Sequence, residues 1–253
     1  MRFLLAASLT ALCFFIDGGT DLTAAMRSEA ILEWDVMYFV FMAFHYGLYH
    51  NMYFVFAMLP KGLQFCEEWD SGMFFAVIKR YGKKGYAKRI LLQGALSGGC
   101  AVAIGFLVYV ASLSMVFPLF SEHAINANFY LQLPLGSLLQ EVNAGVYFIV
   151  RSYYLFLNVT LFTACAIYVS LYIPNKSVAL VSGFFGYRVI KLMGDMLKVP
   201  EALRITHLLS GNIIIKNEMV SVAVISLLVI LVLVGLCKSA EKVLIKRCES
   251  GNI

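Results

Sequence analysis

From Val220 to Cys237 the chain carries no charged side chain. That run is close to the roughly 20 apolar residues an α-helix needs to cross the hydrocarbon core of a bilayer. Other apolar runs resemble it, and the composition says why they cannot all be packed away from water. Of 253 residues, 61% are hydrophobic and only 14% charged, with a mean hydropathy of +0.81. A soluble domain has about a quarter of its residues charged. Too few polar side chains remain to cover a water-facing surface. A soluble enzyme, a nucleic-acid-binding module and a disordered chain are therefore excluded, leaving an all-α integral membrane protein.

Six spans are predicted, at about 3–16, 36–59, 90–117, 146–172, 177–193 and 219–237. Pro60, Pro118 and Pro174 follow the second, third and fourth, where proline stops a helix. The fifth is interrupted by Arg188 and Lys191. The first run is short and follows Arg2, as in a signal peptide. However, Ile16-Asp17-Gly18-Gly19 offers no convincing small-x-small cleavage site, so it reads as a retained span. No linker, low-complexity tract or internal repeat divides the chain, so 1–253 reads as a single membrane domain.

Six spans place both termini on one side. Arg2, seven Lys or Arg in 61–89, Lys176 and four after the sixth span put thirteen of the twenty basic residues there. Basic flanks mark the cytoplasmic face, so the expected topology is N-in, C-in. The outer segments are then 17–35, 118–145 and 194–218, the last with a helix start predicted at Val199–Leu203 behind Pro200. Only Arg27, Lys198, Arg204 and Lys216 among the basic residues fall in outer segments.

Most motifs of soluble chemistry are missing. There is no G-x-x-x-x-G-K-[ST] to cradle phosphates, no G-x-S-x-G and no H-E-x-x-H. The six cysteines form no C-x-x-C pair. His45 and His50, five apart on the second span, would point about 140° apart on a continuous helix, which argues against a shared metal. Asn158-Val159-Thr160 spells a glycosylation sequon inside a span, where no glycan can be attached. Arg151, about one and a half turns into the fourth span, is expected to snorkel to the headgroups, with a buried pairing or substrate contact as the alternative. Arg188 and Lys191 share a face that should be wet or protein-covered. On the third span Gly94, Gly98, Ala101 and Gly105 line one face with small residues, suited to close helix packing or to a hinge.

The richest segment is the inner loop 61–89. Phe65, Trp69, Met73 and Val77 recur every four residues, as on an amphipathic helix. Glu67, Glu68 and Asp70 stand near its start, Lys79 and Arg80 near its end, and Gly82 is placed to terminate it. Such a helix either lies at the lipid interface or docks into another protein. Glu67-Glu68 also opens the E-E-x-x-x-R signature of membrane-embedded prenyl-protein proteases, but Gly72 occupies the arginine position.

The loop resembles that of the permeases of type-two ABC exporters, particularly small six-span members serving antimicrobial-peptide export and self-immunity. Those read roughly F-x-x-E-x-x-x-G and, after an apolar run, G-x-[SK]-[RK]-x-x-[YF]-x-x-K. Phe65, Glu68 and Gly72 match the first half; Gly82, Lys84, Tyr86 and Lys88 follow the second loosely. The resemblance covers about twenty-five residues in motif and most of the chain in layout. It implies a cytoplasmic coupling helix whose contact residues are Phe65, Glu67, Glu68, Trp69, Gly72 and Phe75. It further implies two copies of a separate ATPase subunit holding ATP and Mg, a second permease chain, and a bacterial plasma-membrane location. This chain itself would be no enzyme and bind no cofactor, metal or nucleic acid. The Met- and aromatic-rich second span suits a peptide or amphipathic toxin as cargo. An intramembrane protease and a passive membrane partner are the competing readings.

Overall fold

Within lipid, backbone N–H and C=O groups must pair inside the protein, which helices do within a single segment. The computed structural model describes residues 1–27, 33–124, 126–141, 143–200, 204–211 and 217–249, and these form helices and turns with no strand. Helices α1 (Arg2–Asp17) and α2 (Gly19–Arg27) open the chain. Then come α3 (Val36–His45), a 3-10 turn (His50–Met52), α4 (Tyr53–Phe56), α5 (Gln64–Asp70) and the long α6 (Phe74–Leu113). The short α7 (Ala127–Gln132) and α8 (Ser137–Glu141) lead into α9 (Ala144–Ser170) and α10 (Lys176–Met196). The short α11 (Ile205–Leu209) precedes α12 (Glu218–Glu249).

Among the described residues three helices, α6, α9 and α12, are long and apolar enough to cross a membrane. A fourth crossing is available if the bent pair of α1 and residues 21–27, inclined at 66°, counts as one. These account for the runs predicted at 90–117, 146–172, 219–237 and 3–16. The run at 177–193 lies within α10, which is continuous through Arg188 and Lys191. The run at 36–59 is different: it is not one helix but stops at His45 and resumes at His50. The helix start expected at Val199–Leu203 falls partly on 201–203, outside the described residues, as do Glu29 and Lys216 of the outer segments.

Helix α9 is the hub. Most of its length is buried between α6, α10 and α12, whereas α12 leaves most of its apolar surface exposed. Close approach to α6 depends on glycine. A Cβ at Gly99 would collide with the Thr160 hydroxyl and lie 3.0 Å from the Phe156 carbonyl on α9. One at Gly105 would lie 2.8 Å from Thr10 Cβ on α1, and one at Gly98 would strike the Ala57 carbonyl. Gly94 meets Ile167 and the Lys61 carbonyl, and Ala101 is fully buried. The small-residue face of α6 therefore seats α1, residues 57–62 and, at Gly94, Ile167 of α9, with Gly99 beside it also against α9.

At the end away from the 61–89 loop, Asp35 caps α3. Its carboxylate accepts N–H bonds from Tyr38 (2.7 Å) and Ser121 (3.3 Å), while Val36 N–H donates to the Pro118 carbonyl (3.0 Å). The group is fully buried, and that desolvation pushes its carboxyl from the ordinary 3.8 up to about 6, against the pull of the two donors.

Two outcomes follow from this packing. Gly98→Leu should overpack the contact with Ala57 and cost about 1–3 kcal/mol, read as a lower Tm in detergent. Gly235→Leu, where nothing lies within 4 Å, should leave Tm unchanged. Because folded Asp35 holds its proton to higher pH than the unfolded chain does, its contribution is full below about pH 4. It is lost as pH rises through about 6. Thermal unfolding across that range should show the decline, and Asp35→Asn should flatten it.

Candidate functional site

The loop 61–89 does not form the single amphipathic helix that the recurrence of Phe65, Trp69, Met73 and Val77 suggests. After α5 the chain reverses at Gly72, whose φ of +70° is strained for any residue with a Cβ. It re-enters helix at Phe74 and breaks again at Gly82 (φ 71°, ψ 159°) before running into the apolar part of α6. The result is a hairpin of two short helices. Its inner face is an aromatic cluster, with ring centroids of Phe74 lying 5.7 Å from Phe65, 5.2 Å from Trp69 and 5.4 Å from Tyr86. The four-residue recurrence of Phe65, Trp69, Met73 and Val77 is thus cut at Gly72. Phe74 takes the inward place, and Met73 turns out to 59% exposure.

Polar contacts tie the hairpin to four helices. Glu67 pairs with Arg2 of α1 at 2.6 Å. Glu68 accepts from Tyr86 Oη (2.7 Å) at the base of α6 and from Gln64 Nε2 (2.6 Å). Asp70 pairs with Lys176 at the start of α10 (2.7 Å). The Arg247 guanidinium, near the end of α12, lies 4.4 Å from the Trp69 ring centroid and donates to the Leu171 carbonyl at 2.6 Å. Burial, together with the Glu68 carboxylate beside it, raises the Tyr86 phenol well above its ordinary value, so it stays a donor. Each exposed pair contributes little stability, roughly 0–1 kcal/mol. Together they fix the direction in which the hairpin points.

These contacts redistribute the residues expected to dock. Phe65 is wholly buried and offers nothing to a partner; Glu68 and Trp69 face inward, and Glu67 is engaged by Arg2. The outward surface is the tip: Ser71, Gly72, Met73, Phe75 (44% exposed) and Ala76. Sequence reasoning named Gly72 and Phe75 but missed Met73 as a surface residue. It also missed Arg2, Lys176 and Arg247 as anchors, because those contacts join residues far apart in the chain.

A second feature lies where the run 36–59 breaks. Asp17, at the end of α1, accepts the backbone N–H groups of Leu48 (3.0 Å), Tyr49 (2.9 Å) and His50 (2.5 Å), and its Oδ2 lies 3.3 Å from His50 Nδ1. A carboxylate thus takes the place of helical carbonyls. Gly47 makes room for it, since a Cβ there would run into that carboxylate and the Ala43 carbonyl. Beside the break opens a cavity of about 470 Å³ whose lining includes His45, His50, Arg151, Arg188, Lys191 and His207. On an unbroken helix His45 and His50 would diverge; the break brings both to the cavity. Among the described residues no group of three His, Cys, Asp or Glu is arranged to hold a metal ion. Arg151 does not snorkel. It is 8% exposed, donates to the Ser210 carbonyl at 2.5 Å and packs 4.8 Å from the Phe44 ring centroid.

Among the described residues the chain is all-helical, with three helices long and apolar enough to span a membrane. No family model, curated protein or solved structure matches the chain.

Removing the phenol in Tyr86→Phe takes a donor from the Glu68 carboxylate and should cost about 1.5–3 kcal/mol. Met73→Ala, at the exposed tip, should change stability by less than about 0.5 kcal/mol. Thermal unfolding of the two purified variants makes the comparison.

Proposed function

We propose that the chain is the permease subunit of an ATP-driven exporter. In this reading it works with a second permease chain and two copies of a separate ATPase subunit that carries ATP and Mg. The observation that carries the reading is the hairpin: an exposed tip of Met73 and Phe75 on a base tied to α1, α6, α10 and α12. A lever needs both parts, a free surface to be pushed and rigid connections to what moves. Closure of the ATPase pair would press on the tip. Glu67–Arg2, Glu68–Tyr86, Asp70–Lys176 and Trp69–Arg247 would pass that displacement to the four helices as a body. The energy comes from the different affinity of ATP for the two states, and this chain contributes the transmitting surface.

The layout supports the same reading. In this reading helix α1, the broken segment 36–56, α6, α9, α10 and α12 would make the six passes, with the hairpin, the start of α1 and the end of α12 gathered at one end by the ties above. The concentration of Lys and Arg at that end supports reading it as the cytoplasmic face, and the exporter resemblance supports a bacterial plasma membrane. The engagement of Glu67 and Glu68 by Arg2, Gln64 and Tyr86 favours a structural role for the pair over a hydrolytic one. The resemblance of 61–89 to exporter loops makes a peptide or amphipathic toxin the proposed cargo.

The test is affinity purification of the tagged chain from its native membranes. An ATPase subunit should co-purify and show ATP hydrolysis that depends on the permease. The double variant Met73→Asp/Phe75→Asp should reach the membrane folded yet lose at least tenfold of both. Absence of any ATPase from the wild-type preparation overturns the reading; full coupling in the double variant overturns the tip as its contact.

A further inference from the structure

The cavity beside the break carries a charge that the lever does not use. Arg151, Arg188 and Lys191 line it, and among the described residues no Asp or Glu does. The carboxylate behind it, Asp17, is already turned to three backbone N–H groups and His50. A basic side chain within a membrane-spanning helix such as α9 is costly and marks a site of function. Arg151 is held in place: the Ser210 carbonyl and the Phe44 ring fix its guanidinium, so little side-chain freedom remains to be lost on binding.

A separate observation points to a ligand. Asn158 lines the same cavity, is 2% exposed, and its side-chain oxygen has no hydrogen-bond partner. A buried amide left in that state costs free energy, and a polar group entering the cavity would remove the cost in either orientation of the amide. The surroundings then say what else the ligand carries. A smaller pocket of about 220 Å³ adjoins the cavity, sharing Phe44, His45, Arg151 and His207 as a common wall. Its far side is Met37, Val40, Phe41, Leu133 and Pro134. One side of Arg151 is thus polar and basic, the other apolar.

We propose that this double cavity binds an anionic amphiphile, its phosphate or carboxylate head between Arg151, Arg188 and Lys191 and its apolar tail against Met37, Val40 and Phe41. Guanidinium groups match such heads with two parallel hydrogen bonds. The volume of the larger chamber is that of a small-molecule site. The proposal concerns binding by this chain alone and does not depend on an ATPase.

The chain, reconstituted in phosphatidylcholine nanodiscs, is titrated with dodecyl phosphate, decyl maltoside and inorganic phosphate by calorimetry. Dodecyl phosphate should bind saturably, inorganic phosphate at least tenfold more weakly, and decyl maltoside without saturation. Raising the salt should weaken the first. The rim variant Arg188→Gln/Lys191→Gln, which leaves the Arg151 contact with Ser210 in place, should lose at least tenfold in affinity for dodecyl phosphate with Tm unchanged. Arg151→Gln should lose more, and if it fails to fold the rim variant decides. Equal binding of the charged and uncharged probes, or wild-type affinity in the rim variant, overturns the proposal. Discs containing phosphatidylglycerol separate the sources of the head. Competition in the wild type but not in the rim variant supports a lipid occupant, and its absence supports an anionic amphiphile arriving from water.

Discussion

Three backbone N–H groups converging on the Asp17 carboxylate hold open the middle of an otherwise apolar segment. In a low-dielectric setting an interrupted helix leaves donors that water is not there to satisfy, and each unpaired one is costly. Asp17 meets that demand from a different helix, so the break in 36–56 and the position of α1 are one structural decision. The cavity, the placing of His45 and His50 on its wall, and the access of Arg151 to its interior all depend on that carboxylate. Gly47 is its steric counterpart, the residue whose missing Cβ leaves the carboxylate space.

The hairpin follows a different logic. Its interior is held by rings and its edges by ions, and two glycines with positive φ set where the chain may turn. Of the acidic side chains of α5, Glu67 and Asp70 pair with Arg2 and Lys176 of this same chain and Glu68 accepts from Tyr86 and Gln64, so its charge is largely spent internally. What remains outward at the tip is small and apolar, a surface suited to burial against another protein, with the exposed Lys79 and Arg80 beyond it. The division between a bound base and a free tip gives the segment mechanical meaning.

The long helices were legible because their signal is local: uncharged runs such as Val220–Cys237 and the third and fourth spans declare themselves within twenty residues. The glycine face of α6 was legible for the same reason. Other features were settled by partners distant in sequence. Nothing between Val36 and Leu59 announces a break, since its cause is Asp17, some thirty residues earlier. The recurrence of Phe65, Trp69, Met73 and Val77 fitted one helix, yet Gly72 turned the chain and Phe74 replaced Met73 in the cluster. Arg151 looked able to reach the headgroups until the Ser210 carbonyl, contributed by a segment nearly sixty residues on, gave it a buried partner. Of the residues expected at a docking face, Phe65, Glu68 and Trp69 lie on the inward side of the hairpin and Gly72 and Phe75 at its tip.

Helix α12 spans 32 residues, about 48 Å at the usual rise per residue, against roughly 30 Å of hydrocarbon. In the permease reading the surplus projects beyond the bilayer on the basic side, past Lys238 and Lys242, and ends in the clasp of Arg247 on Trp69. It is therefore a strut of fixed length: the hairpin stands off from the membrane by a distance the helix sets, and cannot sink toward the headgroups without unwinding it.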